Sequence, residues 1–308
     1  MEIYLPIAEQ SMNVFILLGL GGAAGLLSGM FGVGGGFLAT PLLIFVGIPP
    51  AVAVASQANQ VVSNSISSLQ VHWRRGNVDL RMGLVLLLGG MVGSSAGVSL
   101  FTYLKAIGQI DFVIAVLYVV MLSTIGVLML FESARTYIRR RRNPEAPRGK
   151  LHTHYLVHRL PLKLRFYKSK LYISALLPIG IGFAIGVLSA ILGVGGGFVL
   201  VPAMIYILGM PTAVVIGTSN FQILFVAANV TFLQAATNGT VDVVLALLLI
   251  LGGVVGAPIG SRVAAKLPGV VLRGLMSVLI LAVAVELLTE LLRMPSSLYS
   301  LGIRQVLP

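Results

Sequence analysis

The chain has 308 residues, of which 57% are hydrophobic and only 10% charged, and its mean hydropathy is +1.00. A soluble domain carries closer to a quarter charged residues, so this composition excludes an ordinary soluble fold. The net charge of +12 would point to nucleic acid if it were spread over a surface. Instead, residues 132–170 hold twelve of the 21 Lys/Arg and two of the nine acids, and the remainder is nearly balanced at nine against seven. The basicity belongs to one loop, which in a membrane protein reads as a cytoplasmic retention signal. Nucleic acid is not a predicted partner; the lipid bilayer is.

In chain order, the apolar runs predict segments over 13–30, 36–47, 51–70, 80–101 and 110–131. After the basic loop come 172–191, 197–208, 212–234, 242–264 and 270–292. Most are near the roughly 20 residues that cross a bilayer. The second segment of each set is too short, spanning roughly 18 Å at the helical rise. Residues 1–11 hold two acids and no Lys or Arg. They lack the positive region of a cleavable signal, so the first segment is expected to remain. There is no cysteine, which removes disulfides, thiolate metal sites and cysteine nucleophiles.

The chain repeats itself. Residues 25–41 (GLLSGMFGVGGGFLATP) and 186–202 (GVLSAILGVGGGFVLVP) share ten of seventeen positions. GIPPAVAVASQANQ (47–60) pairs with GMPTAVVIGTSNFQ (209–222), GNVD (76–79) with GTVD (239–242), and GGMVG (89–93) with GGVVG (252–256). A period near 162 suits a duplicated transporter, not a solenoid. Five segments per half is odd, so the halves are predicted to be inverted. Placing 132–170 inside puts the Arg-bearing stretches 72–81 and 261–273 inside as well, with 102–109 and 235–241 outside. The predicted fold is an all-α integral membrane protein: a first repeat over 1–131, a basic cytoplasmic loop over 132–170 and a second repeat over 171–308. Short re-entrant hairpins would form at the GVGGGF turns. Irregular backbone at that depth must be buried or line a cavity.

Two features carry the candidate chemistry. Gly34, Gly35 and Gly36, and likewise Gly195, Gly196 and Gly197, open a short apolar helix. Without Cβ atoms their N–H groups can be approached closely, and a helix N-terminus favours an anion. The same glycines also suit a tight turn with close helix packing. The third segment of each half bears a polar face. In the first half it comprises Ser56, Gln57 and Gln60, continued by Ser63, Asn64 and Ser67. In the second it comprises Thr218, Ser219, Asn220 and Gln222, continued by Asn229. Polar groups in hydrocarbon must face inward, whether as interhelical hydrogen bonds or as a path. Asp79 and Asp242 are read as helix N-caps, and Glu286 as the one carboxylate inside an apolar run. No HExxH, nucleotide motif, intramembrane Asp pair or intramembrane Ser–His dyad is present, so an enzyme is not predicted, nor any cofactor or metal.

The duplicated GVGGGF-x₃-P, the following G-x-P-x-x-A-V-x₃-S/T and the G-x-V-D of each half resemble the TauE/SafE sulfite exporter family, also called the 4-toluene sulfonate uptake permeases. The resemblance covers both halves. It implies a multi-pass transporter of the cytoplasmic (inner) membrane whose partner is a small sulfur-containing anion: sulfite, a sulfonate or a related organosulfur anion. Export is the expected direction, because an inside-negative potential drives an anion out. The alternative is a membrane scaffold or sensor whose basic loop docks a partner or anionic lipid.

Overall fold

The computed structural model describes residues 2–31, 36–142, 163–169, 171–266 and 269–292. Ten α-helices account for nearly all of it: α1 (Val14–Phe31), α2 (Gly36–Phe45), α3 (Pro50–Arg74), α4 (Leu80–Ala106), α5 (Ile110–Arg142), α6 (Leu176–Leu192), α7 (Gly197–Tyr206), α8 (Thr212–Leu233), α9 (Val243–Lys266) and α10 (Gly269–Leu292). The all-α membrane class is as predicted. Stretches within α4, α5, α8, α9 and α10 are long and apolar enough to cross a membrane, while α1, α2, α6 and α7 are shorter apolar helices. At ten residues each, α2 and α7 reach only about 15 Å. The basic stretch is entered by α5, which continues to Arg142.

Two β-hairpins occupy places where the sequence suggested irregular chain. Strands β1 (Glu2–Leu5) and β2 (Gln10–Asn13) pair antiparallel before α1, and β3 (Lys163–Phe166) and β4 (Leu171–Ser174) pair before α6. Pairing of LYIS with KLRF takes residues 171–174 into the sheet, so the sixth segment starts at Leu176 instead of 172. Phe166 is almost fully buried, whereas Leu164, two residues earlier on the same face of the strand, is exposed.

Helices pack across the halves. α1 lies on α9 and α4 on α6, α5 pairs with α10, and α3 with α8. Under the sequence repeat the first two contacts exchange with each other and the last two map onto themselves. Glycine seams explain the closest contacts. Gly21 and Gly25 of α1 abut the backbone at Leu249 and Gly253 of α9, and Gly182 and Gly186 of α6 abut it at Leu86 and Gly90 of α4. Small residues let helix backbones approach, and dispersion then does the work that hydrophobicity cannot do in lipid. At the centre, Phe37 and Phe198, which correspond in the repeat, stack with centroids 4.3 Å apart and planes 8° from parallel.

Candidate functional site

The candidate residues lie on α3, α8 and the second glycine turn. Both helices start at a Pro-bearing corner: α3 has Pro50 at its first turn after Pro49, and α8 follows Pro211. Proline has no N–H to leave unsatisfied there. All seven polar candidates on these helices point inward: Ser56, Gln57, Gln60, Thr218 and Gln222 are fully buried, and Ser219 and Asn220 are at most 4% exposed. Further along α3 the polar face ends, because Ser67 is exposed and donates only to Ser63 O. Asn229 leaves it too, donating to the hydroxyls of Ser94 and Ser95 on α4.

Among the glycine candidates, Gly34 and Gly35 lie outside the described residues. Gly36, Gly195, Gly196 and Gly197 are buried. Gly193, Gly195 and Gly196 all have positive φ, at +67°, +69° and +76°, a region that other residues enter only under strain. The turn is closely surrounded. A Cβ on Gly195 would run into Val61 of α3 and stand 3.0 Å from Ile223 Cγ2 of α8; one on Gly196 would run into Ile185 of α6. Gly36 comes up against the same turn, its Cβ position 3.2 Å from Val194 O. The starts of α2 and α7 therefore meet, and both sit against α3. Tyr118 of α5 donates its hydroxyl proton to Leu192 O, fixing the chain just before the turn. That contact had no sequence signal beyond a lone Tyr in an apolar run.

The hydroxyls at Ser56 and Thr218 have a structural task that spacing did not reveal. Asp79 N–H donates to Thr218 Oγ1 at 3.0 Å, and Asp242 N–H donates to Ser56 Oγ at 3.0 Å. Each half thus holds the entry of a helix in the other. The two aspartates cap as predicted: Met82 N–H donates to Asp79 Oδ1 at 3.2 Å and Leu245 N–H to Asp242 Oδ1 at 3.1 Å. Their second oxygens fasten the hairpins. Ser169 donates to Asp79 Oδ2 from its N–H at 3.0 Å and its hydroxyl at 2.6 Å. Ile7 and Ala8 N–H donate to Asp242 Oδ2 at 2.9 and 3.4 Å.

The amides form the rest of the interior. Gln57 Nε2 donates to Gln60 Oε1 at 2.8 Å, and Gln60 Nε2 donates to Leu249 O at 2.9 Å and Gly21 O at 3.2 Å. Ser219 Oγ and Asn220 Nδ2 both donate to Ile216 O. Among the described residues, Gln57 Oε1 and both amide atoms of Gln222 have no partner. Among the residues whose burial is described, Asp79 and Asp242 are the only buried charges. Arg74 and Arg75 are exposed at the end of α3, and Glu286 is exposed on α10, so the apolar-segment carboxylate does not face the interior. Among the residues whose burial is described, the groups this interior offers an anion are neutral dipoles and a helix N-terminus.

The family profile described as "Sulfite exporter TauE/SafE" matches residues 17–287. A probable membrane transporter protein of Xylella fastidiosa (strain 9a5c) is 29% identical over 256 residues, 82% of this chain and 86% of that one. The probable membrane transporter proteins YjnA and YunE of Bacillus subtilis (strain 168) are 29% and 24% identical. The alignments cover 90% and 91% of this chain, and 100% and 98% of theirs. No solved structure matches the chain. A match of this extent, on a largely helical chain with several segments long and apolar enough to cross a membrane, shows that the chain belongs to the sulfite exporter TauE/SafE family of multi-pass membrane transporters.

Proposed function

We propose that the protein exports a small sulfur-containing oxyanion, sulfite or a sulfonate, across the cytoplasmic membrane. The observation that carries this reading is that buried neutral amides and hydroxyls line α3 and α8, the two helices that also press Val61 and Ile223 against the glycine turn opening α7. A half-helix N-terminus and amide dipoles can hold an oxyanion without a lysine or arginine that would retain it. The site would comprise the two glycine starts, Gly34–Gly36 and Gly195–Gly197, with Gln57, Gln60, Ser219, Asn220 and Gln222 around them. Ser56 and Thr218 would act chiefly by holding the helices.

The reading includes an inverted arrangement of the halves. Three contacts support it, because each joins segments that the charge pattern assigns to the same face. Lys168 Nζ donates to Gly76 O, linking the basic stretch to 72–81. Thr102 and Lys105 both donate to Asn238, linking 102–109 to 235–241. Exit of an anion is favoured by about 2.3 kcal/mol per charge per 100 mV of inside-negative potential, so export needs no proton-carrying carboxylate. The test is flux from proteoliposomes loaded in turn with sulfite, sulfate, thiosulfate and methanesulfonate. Potential-driven exit of sulfite or the sulfonate is the expected result. Failure of all four to move above empty liposomes would overturn the reading.

A further inference from the structure

One pair of corresponding and identical residues is bonded differently in the two halves. Gln60 and Gln222 match in the repeat, and each lays its amide nitrogen against a glycine of the opposite half. A Cβ on Gly253 would stand 2.6 Å from Gln60 Nε2, and one on Gly90 would stand 2.6 Å from Gln222 Nε2. There the likeness ends. Gln60 is satisfied at both atoms, by the carbonyls of Gly21 and Leu249 and by Gln57 Nε2. Gln222 is equally buried, yet among the described residues neither its donor nor its acceptor has a partner.

The cause of the missing acceptor contact is in the sequence. Three residues before Gln60 stands Gln57, one turn back on the same face and long enough to reach it. Three residues before Gln222 stands Ser219, whose short hydroxyl donates to Ile216 O at 3.0 Å instead. A buried amide with both ends open is costly, and native interiors tolerate few such groups without a reason. A substrate that supplies the missing contact is such a reason.

We infer that Gln222 is the side chain that hydrogen-bonds the transported oxyanion, while Gln57 and Gln60 form a structural brace on the α1–α9 seam. The inference rests on the transport reading above and divides its site: recognition in the second half, support in the first. The neutral N–H donates to an anionic oxygen, and the missing Cβ of Gly90 is what leaves the amide its place, since a Cβ there would stand 2.6 Å from Gln222 Nε2 and 2.7 Å from Val226 Cγ2. Gln60, already committed to two backbone carbonyls, has no donor to spare.

The test uses the full chain, with thermal unfolding in detergent and sulfite flux in proteoliposomes measured on the same variants. Gln60→Met strands Gln57 and lowers the unfolding midpoint by about 3 °C or more. Gln222→Met, similar in shape and losing no hydrogen bond to the described residues, leaves the midpoint unchanged or raises it, while sulfite flux falls by roughly tenfold or more. Ser219→Gln supplies the missing partner, so it raises the midpoint and lowers flux. If Gln222→Met lowers the midpoint as far as Gln60→Met does, Gln222 is a structural amide and the inference is overturned, whatever anion the protein carries. Normal flux in Gln222→Met overturns it equally. A wild type that is inert to sulfite overturns the sulfite reading instead, and the contrast in midpoints still decides whether Gln222 is the open amide.

Discussion

Removing the Asp79 carboxylate tests whether the hairpins are parts of the fold or ornaments on it. In Asp79→Ala, Met82 N–H loses its cap and Ser169 loses the acceptor for both its N–H and its hydroxyl. A lost N-cap costs about 1 kcal/mol. Each hydrogen bond to a buried carboxylate contributes about 1.5 kcal/mol or more. The sum is about 4 kcal/mol, since Asp79 is almost fully buried and water replaces none of these partners cheaply. Removing the unmatched desolvation of the carboxylate offsets part of it, so about 3 kcal/mol is the working figure. At about 2–4 °C per kcal/mol, the unfolding midpoint falls by about 6–12 °C. Asp79→Asn keeps the cap through Oδ1 but sets an amide N–H₂ against the donors of Ser169, so it falls by about half as much. A single cysteine at Tyr167, at the tip of the β3–β4 hairpin, gives a second readout in a chain with no other cysteine. Its labelling rate should rise in Asp79→Ala as the hairpin is released. A shift within the ±0.5 kcal/mol of an ordinary surface change, with unaltered labelling, would refute the reasoning.

Three further outcomes are expected. Gly196→Ala forces a Cβ into Ile185 at a φ of +76°, whereas Gly209→Ala meets open space at +74°; the second should cost about 1 kcal/mol of backbone strain and the first clearly more, as read by their midpoints. Cysteines placed singly at Tyr167 and Thr237 should react with an impermeant maleimide from opposite sides of sealed vesicles, and labelling from one side contradicts the inverted arrangement. Tyr118→Phe removes the bond to Leu192 O and should cost about 1–2 kcal/mol, with transport reduced in proportion to the loosening of the second turn.

The helices were legible because lipid removes alternatives. A long apolar run with no water to satisfy its backbone has no option but to close its own hydrogen bonds, so the segment boundaries fall near the ends of the runs. The hairpins were not legible. Their strands have four residues each, too short for a period of two to stand out. Contacts local in sequence could be read, as with Asp79 and Asp242 capping three residues ahead. Their second oxygens reach partners 90 and 235 residues away, and no local pattern announces those. The same limit applies to Ser56 and Thr218. Helical spacing placed them on the inward face, but it could not show that each also accepts a backbone N–H from the other half.

That distinction bears on what the glycine turn proves. Positive φ at Gly193, Gly195 and Gly196, and the side chains of Val61, Ile185 and Ile223 pressed around them, already require glycine there for the fold alone. Loss of transport in a Gly196 variant therefore cannot separate anion binding from a broken turn. Ser56 and Thr218 are confounded likewise, since each accepts a backbone N–H from the other half. Gln60 is confounded by its two carbonyls. Gln222 is free of such confounding, since its removal takes away no hydrogen bond to the described residues. A buried amide that stabilises nothing in the empty protein is where a loss of transport without a loss of stability can be read as recognition.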